Sequence, residues 1–394
     1  MLLAPKVRPL NVEKPITTVH ELRDHLYHAM QVELSTIPLY LYAAYSIKTQ
    51  GYSQWSPGLS GFRSIRSVVI EEMLHLCLAR NLMVAAGGGS EANLYDKVMI
   101  PTYPSDMLHR TPPLPLHLGA CSTSLMTEVF MPLELPAKAG APPQGGEYNT
   151  LGQFYAAIRD GFTYLDRELG PDLWAGNRPD LQYYSGYWNQ DGGGSPIVVC
   201  DLKTASEAIA TIVEQGEGAR PGDDQVPLDP TNPTPGMSEL SHFAKFQRIA
   251  QGVDLIGETW PVPTDPTAES FEGPVRDLAQ FFDAAYCYVL CMIDAIYQAS
   301  RKETVAGQRS ARYGFERTFI GAMGGVLFPI AELLVSTPVA DGGNAAPTFG
   351  YYHFEGVVPK KRQLEALCQQ ASAHYPSLAG DAGVARQVAL LPPV

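Results

Sequence analysis

Positive charge is scarce in this sequence. Twenty-eight Lys and Arg stand against 41 Asp and Glu among 394 residues, a formal net charge of −13. Such a chain repels a phosphate backbone, which excludes nucleic-acid binding as its main business. Charges of both signs reach only 18%. Cysteine is sparse as well. Cys77, Cys121, Cys200, Cys287, Cys291 and Cys368 include no CxxC pair. Cys287 and Cys291 lie four apart on one helical face, and small buried hydrophobes are expected at these positions. No apolar run reaches the ~18 residues of a membrane span. The longest candidate, Gly324 to Val335, is interrupted by Pro329 and Glu332. The opening MLLAPKVRPLNVEKP lacks the apolar stretch of a signal peptide. A soluble, cytoplasmic protein without a membrane partner is expected. Neither an HExxH motif nor a P-loop occurs, and no GxGxxG follows a strand-like segment.

Hydrophobic residues make up 45% and aromatics 10%, enough for a large core, while 36 Gly and 33 Pro predict long irregular connections. Apolar residues at helical spacing predict a helix over about 18–49, kinked at Pro38, and a second over about 62–86, closed by the glycines at 87–89. From 91 to 148 the prolines exclude long helices. Helical periodicity returns at 151–169, 205–218, 238–252 (with Ser238 as N-cap), 275–300 and 315–336, and a short helix follows Lys360. IVVC at 197–200 reads as a short strand. The expectation is one mainly all-α domain. Its parts are a first helix pair (17–86), a Pro-rich insertion or lid (87–150), further helices (151–253), additional C-terminal helices (254–354) and a tail (355–394).

Two of these helices carry the same pattern. IEEMLHL contains Glu72 and His75, and SELSHF contains Glu239 and His242. Residues three apart share a helical face, so each Glu-x-x-His can offer a carboxylate and an imidazole to one ion. Both pairs continue apolar stripes, where an ionised group is costly unless neutralised. A bound metal would neutralise them. Carboxylate-bridged di-iron bundles use two such pairs and one Glu from each of two other helices. Glu33, with Ala29, Met30 and Ile37 on its face, meets the first requirement. For the second, the helix at 151–169 has no inward acid, and IVEQGEG offers Glu214 or Glu217. Glu214 is preferred because the helix is expected to fray at Gly216 and Gly218, with Glu217 as its substitute. Oxygen-rich ligands with one imidazole per ion suit two irons, or manganese, or a mixed pair.

QVELSTIPLYLYAAYS, IEEMLHLCLARNLMVAAGG, TLGQFYAAIRDGF, IVEQGEG, ELSHFAKFQRIAQG and APTFGYYHF occur in an order that resembles the iminophenylpyruvate dimer synthase family. The resemblance spans roughly 17–354. It implies a ferritin-like helical bundle with long Pro/Gly-rich insertions and extra C-terminal helices. The ligands it implies are Glu33, Glu72, His75, Glu239 and His242, with Glu214 as a further one. The family's named enzymes, from bacterial bisindole pathways, couple two imines made from aromatic amino acids.

The expected function is therefore a non-haem di-iron oxidase or oxygenase acting with O₂ on a small apolar or aromatic amino-acid-derived substrate in specialised metabolism. Tyr40, Tyr155 and Phe246 read either as core packing or as walls of an apolar substrate pocket. The alternative is a non-catalytic ferritin-like iron-binding, storage or structural-metal protein. The large share of chain outside the ligand helices argues for substrate walls rather than storage. The sequence leaves a homo-oligomer open.

Overall fold

A computed structural model describes residues 15–394 except 51–55, 90, 92, 185–192, 219–224, 228–237, 302–310, 341 and 381–382. Helix α1 (Val19–Ser46) begins with a capping box, in which the Thr18 side chain accepts from the Glu21 N–H and Glu21 caps Thr18 in return. It runs through Pro38 without a break and is buried on every side from Met30 to Ser46. Such all-round burial marks a central helix rather than an amphipathic one. It packs along α2 (Ser60–Ala85). α2 in turn packs on α6 (Leu202–Glu217), α6 on α5 (Leu151–Leu169), and α5 back on α1. These four contacts close a four-helix bundle, with α7 (His242–Ala250) laid against α2 and α6.

Between α2 and α5 the chain is largely irregular, as its prolines require. It holds a two-residue ribbon, β1 (Ser105–Asp106) with β2 (Pro115–Leu116), and a helical stretch in which α3 (Thr123–Leu125) passes through a π turn (Met126–Phe130) into α4 (Met131–Leu133). That stretch packs on α7.

α8 (Gly273–Gln298) starts a second layer with α9 (Ala311–Ala322), a π turn (Met323–Leu327), α10 (Phe328–Ser336) and α11 (Lys360–His374). The tail holds one helix more than expected, α12 (Val384–Leu390). Residues 197–200 pair with no strand among the described residues. Four cysteines are buried as expected, whereas Cys77 is half-buried and Cys200 exposed. α8 and the stretch 312–336 are long and apolar enough to cross a membrane by length and composition, which corrects the expectation from uninterrupted runs. Most of α8's apolar stretch is buried, and less than half of the other.

Asp283, inside α8, accepts hydrogen bonds from Thr348 Oγ1 (2.5 Å) and the Gly350 N–H (2.7 Å). Burial pushes its carboxyl up to about 7, against those two donors. A carboxyl raised in the folded state contributes stability at low pH that is lost as pH climbs through the folded value. Stability measured by denaturant unfolding should therefore fall between about pH 4 and 7, and Asp283→Asn should flatten that slope. An unchanged slope in the variant would assign it to other groups.

Candidate metal centre

Glu33 on α1 and Glu72 and His75 on α2 face one another inside the bundle, each no more than 2% exposed. His75 Nδ1 lies 3.6 Å from both Glu33 Oε2 and Glu72 Oε1, and its Nε2 lies 3.0 Å from Gln215 Oε1 of α6. The Tyr155 hydroxyl of α5 donates to Glu33 Oε1, and Thr36 Oγ1 donates to Glu72 Oε2 at 2.5 Å. Four helices thus fix three candidate ligands.

The second histidine arrives differently from expectation. Residues Ser238–Leu240 form β4, paired with β3 (Gln225–Pro227) in an antiparallel ribbon that sets Glu239 opposite Val226. Helix α7 starts only at His242, with the Ser241 side chain as N-cap accepting from the Ala244 N–H. Glu239 and His242 therefore do not share a helical face, and the Glu239 side chain lies outside the described residues. His242 itself is wholly buried in the site. Its Nδ1 is 2.9 Å from Glu72 Oε1 and 3.7 Å from Glu134 Oε1, and its ring stacks on His75 at 5.3 Å.

Glu134, just past α4, is the carboxylate that sequence reasoning missed. It is 2% exposed and accepts from the Tyr40 hydroxyl at 2.6 Å. A lone acid in the apolar string MPLELP was its one signal. Of the two acids offered by the fourth helix, Glu217, the substitute, lines the cavity of Glu33, Glu72 and His75, and Glu214 does not. α6 does not fray at Gly216 but runs to Glu217, which is buried and lines the same cavity as Glu33, Glu72, His75 and Glu134. Its oxygens accept from the Gly152 N–H (2.7 Å) and the Ala137 N–H (2.9 Å). Gly152 leaves room for this contact: a Cβ there would land on the Glu217 carboxylate, whereas one on Gly216 would sit a tight 3.1 Å from Glu134 Oε2. Glu214 is half-buried and lines a separate outer cleft. Phe246 is sealed behind Tyr40 and Phe130, with ring centroids 5.0 Å from each. Tyr40 and Tyr155 serve as hydrogen-bond donors to the carboxylates.

Glu71 supports His242 from behind. Its Oε2 accepts from Lys245 Nζ (2.8 Å) and lies 2.9 Å from His242 Nε2, while its Oε1 accepts from the Gly193 N–H (2.9 Å). Burial raises the Glu71 carboxyl, but Lys245 and His242 outweigh it and hold the group well below the usual range.

The donor set fits divalent metal. Glu71 is balanced by Lys245; Glu33, Glu72, Glu134 and Glu217, once metal displaces their protons, would carry −4 in a buried space, the charge that two divalent ions cancel. Glu72, His75 and His242 offer ligand atoms all within 4.8 Å of one another. His242 Nδ1 makes no well-directed hydrogen bond despite its closeness to Glu72, as expected of a lone pair aimed at a shared ion. The cavity at their centre holds about 20 Å³, room for ions but not for an organic substrate. Across Gly152, Val213 and Glu217 it adjoins an open cleft of about 430 Å³ between α5, α6 and residues 137–141.

Fold and site together define a helical bundle with a buried carboxylate–histidine centre. The chain belongs to the Ferritin-like family, whose model matches residues 26–251. It is 25% identical to a dichlorochromopyrrolate synthase of Lentzea aerocolonigenes, over 91% of this chain. It is 24% identical to a 2-imino-3-(indol-3-yl)propanoate dimerase of Chromobacterium violaceum, over 96% of this chain. Each alignment spans only 39% of the relative's own length. A solved ferritin-like protein from Caulobacter vibrioides superposes with a TM-score of 0.53, covering 79% of this chain and 96% of its own, at 21% identity. That likeness supports the fold.

Metal and protons compete for these side chains. Burial pushes Glu33 and Glu217 up to about 7. Burial lowers His75 and His242, but the surrounding carboxylates more than reverse it, so both are raised. Metal must displace these protons. Adding Mn²⁺ to the metal-free chain in weak buffer at pH 6.5 should release protons, with affinity falling as pH drops from 8 to 6. Binding without proton release would contradict the assignment.

Proposed function

We propose that this chain is a di-metal oxidoreductase that uses O₂ to oxidise a small aromatic amino-acid-derived substrate, by coupling two 2-imino-3-arylpropanoates. The observation that carries this reading is the buried constellation of Glu33, Glu72, Glu134 and Glu217 with His75 and His242, adjoining a substrate-sized cleft across Glu217. The six residues would hold two ions, iron by preference, with manganese or a mixed pair as alternatives. Bound iron would supply O₂ reduction and one-electron oxidation.

The protein's own residues do the rest. Lys138 and Arg159 line the cleft and give a substrate carboxylate two cations to meet. The apolar side chains of Ile209 and Val213 line the same cleft. Tyr155 and Tyr40 stay protonated, since burial and the adjacent Glu33 and Glu134 raise them well above the phenol range, and so act as fixed donors to those carboxylates. Glu217 stands between cavity and cleft and can hold a proton near neutral pH.

The relatives' names support the substrate class, one of them a dimerase of an indolyl imine. Joining two such molecules by a carbon–carbon bond removes two hydrogen atoms, so an oxidant must accept two electrons, and O₂ can. The test supplies 2-imino-3-(indol-3-yl)propanoate, generated in situ from tryptophan, to iron-loaded chain in air. Mass spectrometry should find an iron-dependent dimer of twice the monomer mass less two hydrogens, absent with Glu72→Ala. Oxidation of iron without any change in the imine would favour iron storage instead.

A further inference from the structure

Glu214 is the acid left over once Glu217 is placed beside the metal centre. It stands on α6 one helical turn before Glu217, and both line the outer cleft of about 430 Å³. Glu217 also borders the metal cavity, whereas Glu214 borders the cleft alone. Glu214 is half-buried, and burial raises its carboxyl. Among the described residues its carboxylate makes no hydrogen bond and no ion pair. A carboxylate partly removed from water and without a protein donor is open to the N–H groups of a ligand.

The rest of the cleft narrows what that ligand is. The exposed Lys138 and Arg159 line it, as do the apolar side chains of Ile209 and Val213. An N–H acceptor, cations for a carboxylate and an apolar wall together suit an aromatic α-amino or α-imino acid. An imine of this kind is labile. Water converts its C=NH group to C=O and releases ammonia, giving the 2-oxo acid. That product keeps the ring and the carboxylate, so the cations and the apolar wall cannot tell the two apart. A carboxylate can, because it accepts from N–H and is repelled by a carbonyl oxygen.

We propose that Glu214 binds the nitrogen of the substrate imine and selects the imine over its 2-oxo acid. The assignment rests on the outer cleft being the substrate site of the reaction proposed above. It makes Glu214 a specificity-determining residue and not a metal ligand.

Isothermal titration of the iron-loaded chain under nitrogen, where no oxidation runs, compares L-tryptophan with indole-3-pyruvate. Tryptophan stands in for the imine, with N–H donors beside the same ring and carboxylate. Wild type is expected to bind tryptophan at least about tenfold more tightly, the lower end of what a charge-assisted hydrogen bond contributes. In Glu214→Ala, tryptophan should lose about that factor, while indole-3-pyruvate binds at least as well as before and the iron content is unchanged. Glu214→Gln, which keeps an acceptor oxygen but not the charge, should fall between the two. Equal binding of both ligands by wild type, a preference unchanged in Glu214→Ala, or no binding of either ligand would each overturn the assignment. An iron-dependent dimer alongside an unchanged preference would remove Glu214 and leave the coupling reaction standing. A Glu214-dependent preference without any dimer would keep the site and remove the coupling.

Discussion

Glu134→Ala is expected to lower bound iron from two ions per chain to one or none, whereas Glu214→Ala keeps both. The two acids differ in surroundings. Glu134 is buried beside His242 and held by Tyr40. Glu214 faces an open cleft. Removing a carboxylate from a shared site costs the ion a ligand and one unit of charge balance. His242→Ala should lose metal to a similar extent, because each ion would otherwise have one imidazole. Iron analysis after anaerobic reconstitution, with circular dichroism to confirm folding, separates the variants. Full occupancy in Glu134→Ala would remove that residue from the centre.

Lys245→Met is expected to destabilise the chain by about 3–5 kcal/mol, the usual result of stranding one member of a buried ion pair. Lys245 Nζ is the cation that balances Glu71, and both side chains are almost fully buried. Without it, Glu71 stays ionised against His242 alone or takes up a proton, and the imidazole loses its fixed support. The double variant Glu71→Gln/Lys245→Met should recover much of that stability, because no unpaired charge is left. Unfolding in urea gives both values. A single variant as stable as wild type would show that water, rather than Lys245, balances Glu71.

The bundle was legible wherever burial repeats with the helical period. α2 and α5 follow their apolar stripes, and Glu33, Glu72 and His75 stood out because ionisable groups on such stripes need a partner. α1 was legible as a helix but not as a central one. A stripe reading assigns one buried face, whereas Leu34 and Leu41 on a second face line an apolar cavity between α1, α2 and α8. Glu239 illustrates the limit of spacing arguments. Glu-x-x-His places two residues together only on a helix, and the pairing of 238–240 with 225–227 overrides that local pattern, moving the N-cap from Ser238 to Ser241.

Glu134 was missed and Glu217 ranked second for opposite reasons. Glu134 sits in a Pro-rich segment with no period to read, so only tertiary packing brings it to the site. Glu217 was discounted because Gly216 weakens a helix on propensity alone. In the folded chain the helix continues past that glycine, where a Cβ would sit 3.1 Å from Glu134 Oε2. The outer cleft joins residues 137–141 to α5 and α6, elements apart in sequence that no local pattern brings together.

The most direct test of the buried centre is metal identity and stoichiometry, by elemental analysis of the chain produced with ample iron. Two irons per chain are predicted, matching the −4 charge of the deprotonated Glu33, Glu72, Glu134 and Glu217 and one histidine for each ion. A trace of metal only, or a single tightly held zinc, would contradict the di-metal centre and leave the Ferritin-like resemblance as a statement about fold.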